Sequence, residues 1–183
     1  MKTETKNKKI LILHGWDASP EDHWFSKAKE LFEKQGWVTF IPQLPGNYFP
    51  KKDDWLKVIE DLQVDENWVL IGHSLGGVAI LKYLEIAKKP ITQAILIATP
   101  FEEMEFTPIQ NFFENDFDWK MIKNNCPRFD IVNETDDSVV DLEDGKKFEK
   151  ALSGKLHILP GYSHFHSIDL GFLEKLIKGR LSG

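Results

Sequence analysis

Cysteine is almost absent from this chain of 183 residues, which contains only Cys126. A single thiol cannot form an internal disulfide, so we expect a cytoplasmic protein whose one cysteine is buried and inert. No apolar stretch approaches the roughly 20 residues that cross a bilayer. The amino terminus also lacks an apolar run followed by a cleavage site of small residues. The sequence therefore predicts neither membrane insertion nor export.

Positive charge is scarce as well, since 23 Lys and Arg stand against 29 Asp and Glu and give a formal net charge of −6. A nucleic-acid partner would require clustered basic residues. The one basic run, Lys2–Lys9, also contains Glu4, and we interpret residues 1–8 as a flexible, solvated tail. Because repeats and linkers are absent, we expect residues 1–183 to form a single, monomeric domain without nucleic-acid or membrane partners.

Apolar runs rich in β-branched residues alternate with amphipathic segments along the whole chain. The predicted strands are Ile10–His14, Trp37–Ile41, Trp68–Ile71, Ala94–Ala98, Arg128–Val132 and Lys155–Leu159. The predicted helices are Glu21–Gln35, Asp53–Val64, Leu75–Ala87, a less regular Thr107–Asn125, Glu143–Leu152 and Ser167–Lys178. Continuous apolar strands are typical of parallel sheets covered on both faces. The sequence thus predicts an α/β fold with a doubly wound, mostly parallel sheet of about six strands between two layers of helices.

The segment Gly72-His73-Ser74-Leu75-Gly76 joins the third predicted strand to the helix that follows. The two glycines remove side chains that would collide in a very tight turn, and the serine hydroxyl is left exposed. A serine that merely capped the helix would not require glycine on both sides. G-x-S-x-G between a strand and a helix is typical of the nucleophile elbow of α/β-hydrolases, so we interpret Ser74 as a nucleophile.

A serine nucleophile needs a neighbouring base, and the base needs an acid that orients it. We favour His164 as the base, because it follows the last predicted strand in a glycine-containing loop. His157 falls inside that strand, and His166 begins the last predicted helix. Asp136 and Asp137 both follow the fifth strand, where one of them can orient the histidine while the other bonds its own turn. Spacing alone does not choose between these two aspartates.

Two backbone N–H groups are candidates for binding the negatively charged oxygen of an acyl-transfer intermediate. One belongs to Leu75, directly after the serine, and the other to Trp16, in the loop after the first strand. We expect His14, in the same loop, to bond loop backbone as a structural residue.

We expect Trp16, His73 and Phe101 to contact the substrate. The segment Phe101–Trp119 is the predicted pocket wall and should favour compact apolar or aromatic groups over long acyl chains. Its aromatic and acidic members are Phe101, Phe106, Phe112, Phe113, Phe117, Trp119, Glu102, Glu103 and Glu105. The alternative is that these aromatic side chains fill the core beneath a loop.

The chain resembles the small serine hydrolases typified by retinoblastoma-binding protein 9 and the bacterial YdeN-like proteins. The resemblance covers nearly the whole length and implies a minimal α/β-hydrolase with no cap domain. It also implies a triad of Ser74, Asp137 and His164. We expect the chemistry of such a triad to need neither a metal ion nor an organic cofactor. The matching segments are His14-Gly15, Gly72-His73-Ser74, Trp119–Lys123, Asn125-Cys126-Pro127, Thr135-Asp136-Asp137 and His164-Phe165.

One departure concerns partners. The vertebrate member is named for a retinoblastoma-binding L-x-C-x-E segment, and the corresponding Leu62–Glu66 has Val64 in place of the cysteine. We therefore do not expect a retinoblastoma-type partner.

The leading hypothesis is a serine hydrolase of the carboxylesterase type that cleaves small carboxylic esters through an acyl-enzyme. The alternative is a binding module, for a protein or a small molecule, that retains a hydrolase fold with weak or vestigial catalysis. The sequence does not separate a hydrolase from an acyltransferase, because both use the same triad.

Overall fold

Strands and helices alternate along the part of the chain that the structure, a computed structural model, describes, residues 8–103 and 107–179. The strands are β1 Lys9–Leu13, β2 Val38–Phe40, β3 Trp68–His73, β4 Gln93–Ile97, β5 Phe129–Asn133 and β6 Lys155–Ile158. The helices are α1 Phe25–Lys34, α2 Lys52–Asp61, α3 Leu75–Ile86, α4 Trp119–Asn125, α5 Leu142–Leu152 and α6 Leu170–Ile177, with a 3-10 helix at Thr107–Phe112. Residues 1–7 of the predicted tail and Glu105 and Phe106 of the predicted pocket wall lie outside the described residues.

All six strands join one sheet in the order β2-β1-β3-β4-β5-β6, and each neighbouring pair is parallel. The carboxyl ends of parallel strands meet at one edge, so the loops that follow them lie close together. In register, Leu13 of β1 stands opposite Gly72 of β3, and His73 stands opposite Ile97 of β4. The end of β3 is therefore placed at the centre of this edge.

Helices cover both faces of the sheet, as the sequence predicts. On one face Leu11, Leu70 and Leu96 pack with buried residues of α2, α3, α4 and α5. On the other face Ile71 and Ile95 pack with buried residues of α1 and α6. The α/β fold with a doubly wound sheet is confirmed, and among the described residues no additional domain covers the carboxyl edge. No helix in the same part of the chain is long and apolar enough to span a membrane.

Several helix boundaries differ from the sequence-based prediction. The first helix begins at Phe25, four residues later than predicted, because His23 has a left-handed backbone with φ 53°. The less regular Thr107–Asn125 segment divides into the 3-10 helix and α4. The last helix begins at Leu170, because the Asp169 side chain accepts the Gly171 N–H and caps it. His23 and His166 therefore lie before their helices and not within the first turns.

Close packing around the β3–α3 turn explains two of its glycines. A Cβ added to Gly72 would lie 2.4 Å from the Gly77 Cα, and one added to Gly76 would lie 2.5 Å from the Leu13 carbonyl oxygen. Both contacts are with backbone, which cannot rotate away as a flexible side chain can. The first turn of α3 thus rests directly on the end of β1.

We predict that Gly76→Ala lowers the free energy of unfolding by about 1–3 kcal/mol or more, because the backbone must shift to admit the methyl group. Urea or thermal unfolding measures this effect. The matched control is Gly171→Ala in α6, where the nearest group is a side-chain oxygen of Asp169 at 3.2 Å and no described backbone atom beyond its own helix lies close. A Gly76→Ala protein as stable as Gly171→Ala would contradict the packing described here.

Candidate active site

Ser74 occupies a strained turn between β3 and α3, with φ 54° and ψ −125°. This backbone region is costly for a residue other than glycine and persists only where the surrounding structure enforces it. Here the Ser74 N–H donates to the Ile97 carbonyl oxygen at 2.8 Å, which ties the turn to the end of β4. The Ser74 side chain makes no capping hydrogen bond to α3. The hydroxyl is therefore not used to cap the helix that it precedes.

Asp137 is the aspartate that contacts His164. The His164 Nδ1 lies 2.9 Å from Asp137 Oδ2 and 3.1 Å from Oδ1. The Asp137 side chain is only 1% exposed, whereas Asp136 is exposed to solvent. The Asp137 carboxylate also accepts the N–H groups of Val139 and Val140, at 2.8 and 3.0 Å. The geometry thus distinguishes two aspartates that spacing left equivalent.

The ionisation of Asp137 follows from these contacts. Burial alone would raise the pKa of its carboxyl group, because a desolvated charge is unfavourable. The hydrogen bonds from His164 and from the two backbone N–H groups outweigh that effect and hold the pKa of Asp137 below its ordinary value. Asp137 is therefore a carboxylate at neutral pH.

Ser74 and His164 line the same cavity, which has a volume of about 200 Å³. Apart from these two residues, its lining is mostly apolar. Within the part of the chain that the structure describes, the lining residues are Gly15, Trp16, Ser74, Leu75, Pro100, Ile109, Val139 and His164. The structure therefore brings the predicted nucleophile, base and both predicted oxyanion donors to one small apolar space.

The loop after β1 reaches Ser74 closely. A Cβ added to Gly15 would lie 3.1 Å from the Ser74 Cβ, so a side chain at this position would crowd the serine. The His14 ring supports this loop, since its Nε2 accepts the Leu44 N–H at 3.1 Å and its Nδ1–H donates to the Gly15 carbonyl oxygen at 2.8 Å. His14 therefore bonds loop backbone, as expected. The Trp16 indole N–H donates to the Tyr48 carbonyl oxygen at 2.9 Å.

Two residues predicted to contact substrate do not line this cavity. His73 is 2% exposed and points to the α1 and α6 face of the sheet, where its Nε2 lies 2.8 Å from the His164 carbonyl oxygen. Phe101 stacks on Trp119, with ring centroids 5.5 Å apart, and packs against Phe148 of α5. Phe101 and Trp119 line a separate depression of about 550 Å³. Among its described residues, 101–103 and 107–119, the predicted wall contributes only Ile109 to the cavity at Ser74.

Sequence reasoning missed the lining residues Pro100 and Val139, and it did not single out Ile109 within the predicted wall. Pro100 follows β4 and Val139 follows Asp137, so both lie beyond carboxyl ends of strands, where such a fold places its functional loops. That topological signal could have indicated them. Ile109 lies in the 3-10 helix, and its sequence context carries no signal that separates it from core residues.

The remaining candidates have structural roles. His157 bonds the buried Asp130 carboxylate at 2.8 Å, away from the cavity. The expected burial of Cys126 is confirmed, and burial raises the pKa of its thiol to about 12, so that it stays protonated. Within residues 8–103 and 107–179, no group of three or more His, Cys, Asp or Glu side chains could hold a metal ion.

Comparison with known proteins identifies the family of this chain. The family model described as serine hydrolase matches residues 10–175. YdeN of Bacillus subtilis is 27% identical over 163 residues, which are 86% of each chain. Serine hydrolase RBBP9 of Rattus norvegicus is 25% identical over 172 residues, covering 92% of this chain and 88% of that protein.

Solved structures show the same fold. The crystal structure of the B. subtilis ydeN gene product superposes with a TM-score of 0.85 at 24% identity, covering 97% of this chain and all 100% of that one. Est1E of Butyrivibrio proteoclasticus, solved with bound ferulic acid, has a TM-score of 0.75 at 16% identity, covering 97% of this chain and 89% of the other.

We predict that Asp137→Asn destabilises the protein by about 1–3 kcal/mol at pH 7, because it weakens a buried, charge-assisted set of hydrogen bonds. The lowered pKa of Asp137 means that its stabilisation is present above the ordinary aspartate pKa, and that it is lost as the pH falls through the lower folded value. The stabilities of parent and variant should therefore begin to converge below about pH 4 and meet only below the folded pKa of Asp137. Asp136→Asn is the exposed control, and an equal effect of both variants would contradict this assignment.

Proposed function

The chain belongs to the serine hydrolase family, and on that premise we propose that it cleaves small carboxylic esters through an acyl-enzyme on Ser74. In this proposal His164 is the base and Asp137 the acid that orients it. The observation that carries the proposal is that Ser74 and His164 line one cavity while Asp137 binds the far side of the histidine ring.

The first step uses the two ring nitrogens of His164, Nδ1 and Nε2. A carboxylate only accepts hydrogen bonds, so the proton of the neutral imidazole resides on Nδ1, facing Asp137. The Nε2 lone pair then takes the hydroxyl proton as the Ser74 Oγ attacks the ester carbonyl carbon. Asp137 stabilises the resulting imidazolium without taking its proton, since the pKa of Asp137 is held low.

The negative charge that develops on the carbonyl oxygen needs donors that are already in place. Leu75 opens α3, and the N–H groups in the first turn of a helix have no acceptor within the helix. We assign its N–H and that of Trp16 to this oxygen. The close approach of Gly15 to Ser74 supports the assignment of Trp16, because it brings the β1 loop against the serine.

Two further proton transfers through His164 complete the reaction, one as the alcohol leaves and one as water releases the acyl group. The imidazolium donates its proton to the leaving alkoxide, which departs as an alcohol and leaves the acyl group on Ser74. A water molecule, deprotonated by the same Nε2, then attacks the acyl carbon, and the Ser74 oxygen leaves and recovers the proton. The products are one carboxylic acid and one alcohol, and the enzyme returns to its starting state.

The cavity supports a preference for compact acyl groups. Its volume is about 200 Å³, and its lining includes the apolar side chains of Trp16, Ile109 and Val139. An apolar cavity of about 150 Å³ holds a benzene molecule. A short aliphatic or single-ring acyl group therefore fits, whereas a long chain would extend into solvent.

We expect a fluorophosphonate probe to label the native protein on Ser74, because an activated serine attacks phosphorus as it attacks an ester. Gel fluorescence and peptide mapping provide the measurement, and Ser74→Ala should abolish the label. The control is Ser138→Ala, which removes an exposed hydroxyl beside Asp137 and should leave labelling unchanged. A folded native protein that is not labelled would contradict the proposal and favour the binding-module alternative.

We also expect hydrolysis of 4-nitrophenyl esters to be fastest for short acyl chains and to decline steeply before chains of about ten carbons, given the small cavity. Ile109→Ala should enlarge the cavity and move this optimum to longer chains. The exposed Val38→Ala, far from the cavity, serves as the control. A native optimum at long chains, or an Ile109→Ala profile identical to that of the parent, would refute the cavity as the acyl site.

A further inference from the structure

The loop Gly161–His166, which carries His164, has an unusual backbone. Gly161, Ser163 and Phe165 all have positive φ, at 88°, 52° and 52°. Alternation between left-handed and ordinary conformations excludes the repeating hydrogen bonds of a helix or strand. Such a backbone must be held by contacts from outside the loop. The position of His164 therefore depends on neighbouring elements.

Two buried side chains bind the loop backbone before and after His164, at Tyr162 and Phe165. The Glu134 carboxylate, just after β5, accepts the Tyr162 N–H at 2.6 Å. The Trp24 indole N–H, just before α1, donates to the Phe165 carbonyl oxygen at 3.1 Å. Both contacts fix loop backbone, and neither involves His164 itself.

His73 makes the corresponding contact with His164. Its Nε2 lies 2.8 Å from the His164 carbonyl oxygen, and a carbonyl only accepts, so Nε2 carries the proton and donates. The other ring nitrogen, Nδ1, is buried without a hydrogen-bond partner. The position of the Nε2 proton is therefore fixed by one contact, and that contact is with the backbone of the proposed base.

We propose that His73 is a positioning residue, which holds the His164 backbone so that the imidazole of His164 faces both Ser74 and Asp137. This inference rests on the proposed function and adds a role to it. Because His73 directly precedes Ser74, the strained turn that presents the serine also sets the donor that holds the base loop. One dipeptide thereby fixes the two reacting side chains relative to each other.

The charge state of His73 suits this role. Burial, with a smaller effect from nearby His164, lowers the pKa of His73 to about 3, so its ring is neutral at physiological pH. The rings of His73 and His164 are 5.0 Å apart. A cation at that distance would repel the imidazolium that His164 becomes during the reaction. A neutral donor holds the loop without that repulsion. The rings of His23 and Phe25, with centroids at 5.5 and 5.9 Å, help to enclose it.

Two substitutions of His73 by residues with an amide side chain distinguish a positioning role from a general packing role. In His73→Gln the amide nitrogen can reach the place of the imidazole Nε2 and still donate to the His164 carbonyl. In His73→Asn the shorter side chain places its amide nearer the position of Nδ1, which has no partner. Both variants are polar, neutral and smaller than histidine. The matched control is His157→Asn, which makes the same change at the histidine that bonds Asp130.

The first readout is the rate of ester hydrolysis, separated into kcat and KM, with thermal unfolding measured alongside. We expect His73→Asn to lower kcat by about 100-fold with little change in KM, and His73→Gln to recover to within about 10-fold of the parent, as a displaced base impairs chemistry more than binding. His157→Asn should keep the parental kcat. Equal kcat in His73→Asn and the parent, or equal losses in the Asn and Gln variants, would overturn the proposal.

The second readout does not depend on turnover. Proton NMR detects the far-downfield resonance of an imidazole N–H that is bound to a carboxylate, here the Nδ1–H of His164 bound to Asp137. We expect the parent and His73→Gln to keep this resonance and His73→Asn to lose it. A folded His73→Asn that retains it unchanged would overturn the positioning role. If the parent shows neither hydrolysis nor fluorophosphonate labelling, the proposed function fails, while this comparison still decides whether His73 holds His164.

Discussion

The left-handed turn at Ser74 is the constraint on which the rest of the site depends. It forces β3 to pass directly into α3, so the helix starts against the carboxyl end of β1 and leaves no room for a side chain at Gly76. The hydrogen bond from the Ser74 N–H to Ile97 anchors this arrangement to β4. Because α3 is buried along Leu75–Leu84, the core holds the turn in place and offsets its strain. The packing of this buried helix thus offsets the strain of the turn.

The same turn divides two neighbouring side chains between the two sides of the sheet. Ser74 lies at the cavity, whereas His73 lies on the opposite side and contacts the loop that carries His164. The electrostatics of the three ionisable groups are complementary, since burial keeps His73 neutral while hydrogen bonds keep Asp137 ionised. The anionic Asp137 favours the transient positive charge that the proposed mechanism requires on His164, and the neutral His73 adds no repulsion to it.

The sequence predicted the fold well because its signals are local and repeated. Each predicted strand overlaps an observed one. In the central strands β1, β3, β4 and β5 the continuous apolar runs follow from burial on both faces. Ser74 and His164 could also be selected as candidates from the sequence, because the glycine spacing marks Ser74 and the end of the last predicted strand marks His164. The choice between Asp136 and Asp137 was not, as it depends on which carboxylate the turn buries. Phe101, which we predicted to contact substrate, does not line the cavity at Ser74, because it packs against Phe148 and Trp119, which are distant in sequence.

The central claim is that Ser74 carries an acyl group during turnover, and the most direct test is to observe that intermediate. The protein would be mixed with excess 4-nitrophenyl acetate, quenched in acid within the first turnovers, and analysed by intact and peptide mass spectrometry. Our account predicts the mass of one acetyl group on the peptide that contains Ser74, and no such adduct in Ser74→Ala. Turnover of the ester with no adduct on Ser74, or with the acetyl group on another residue, would contradict it.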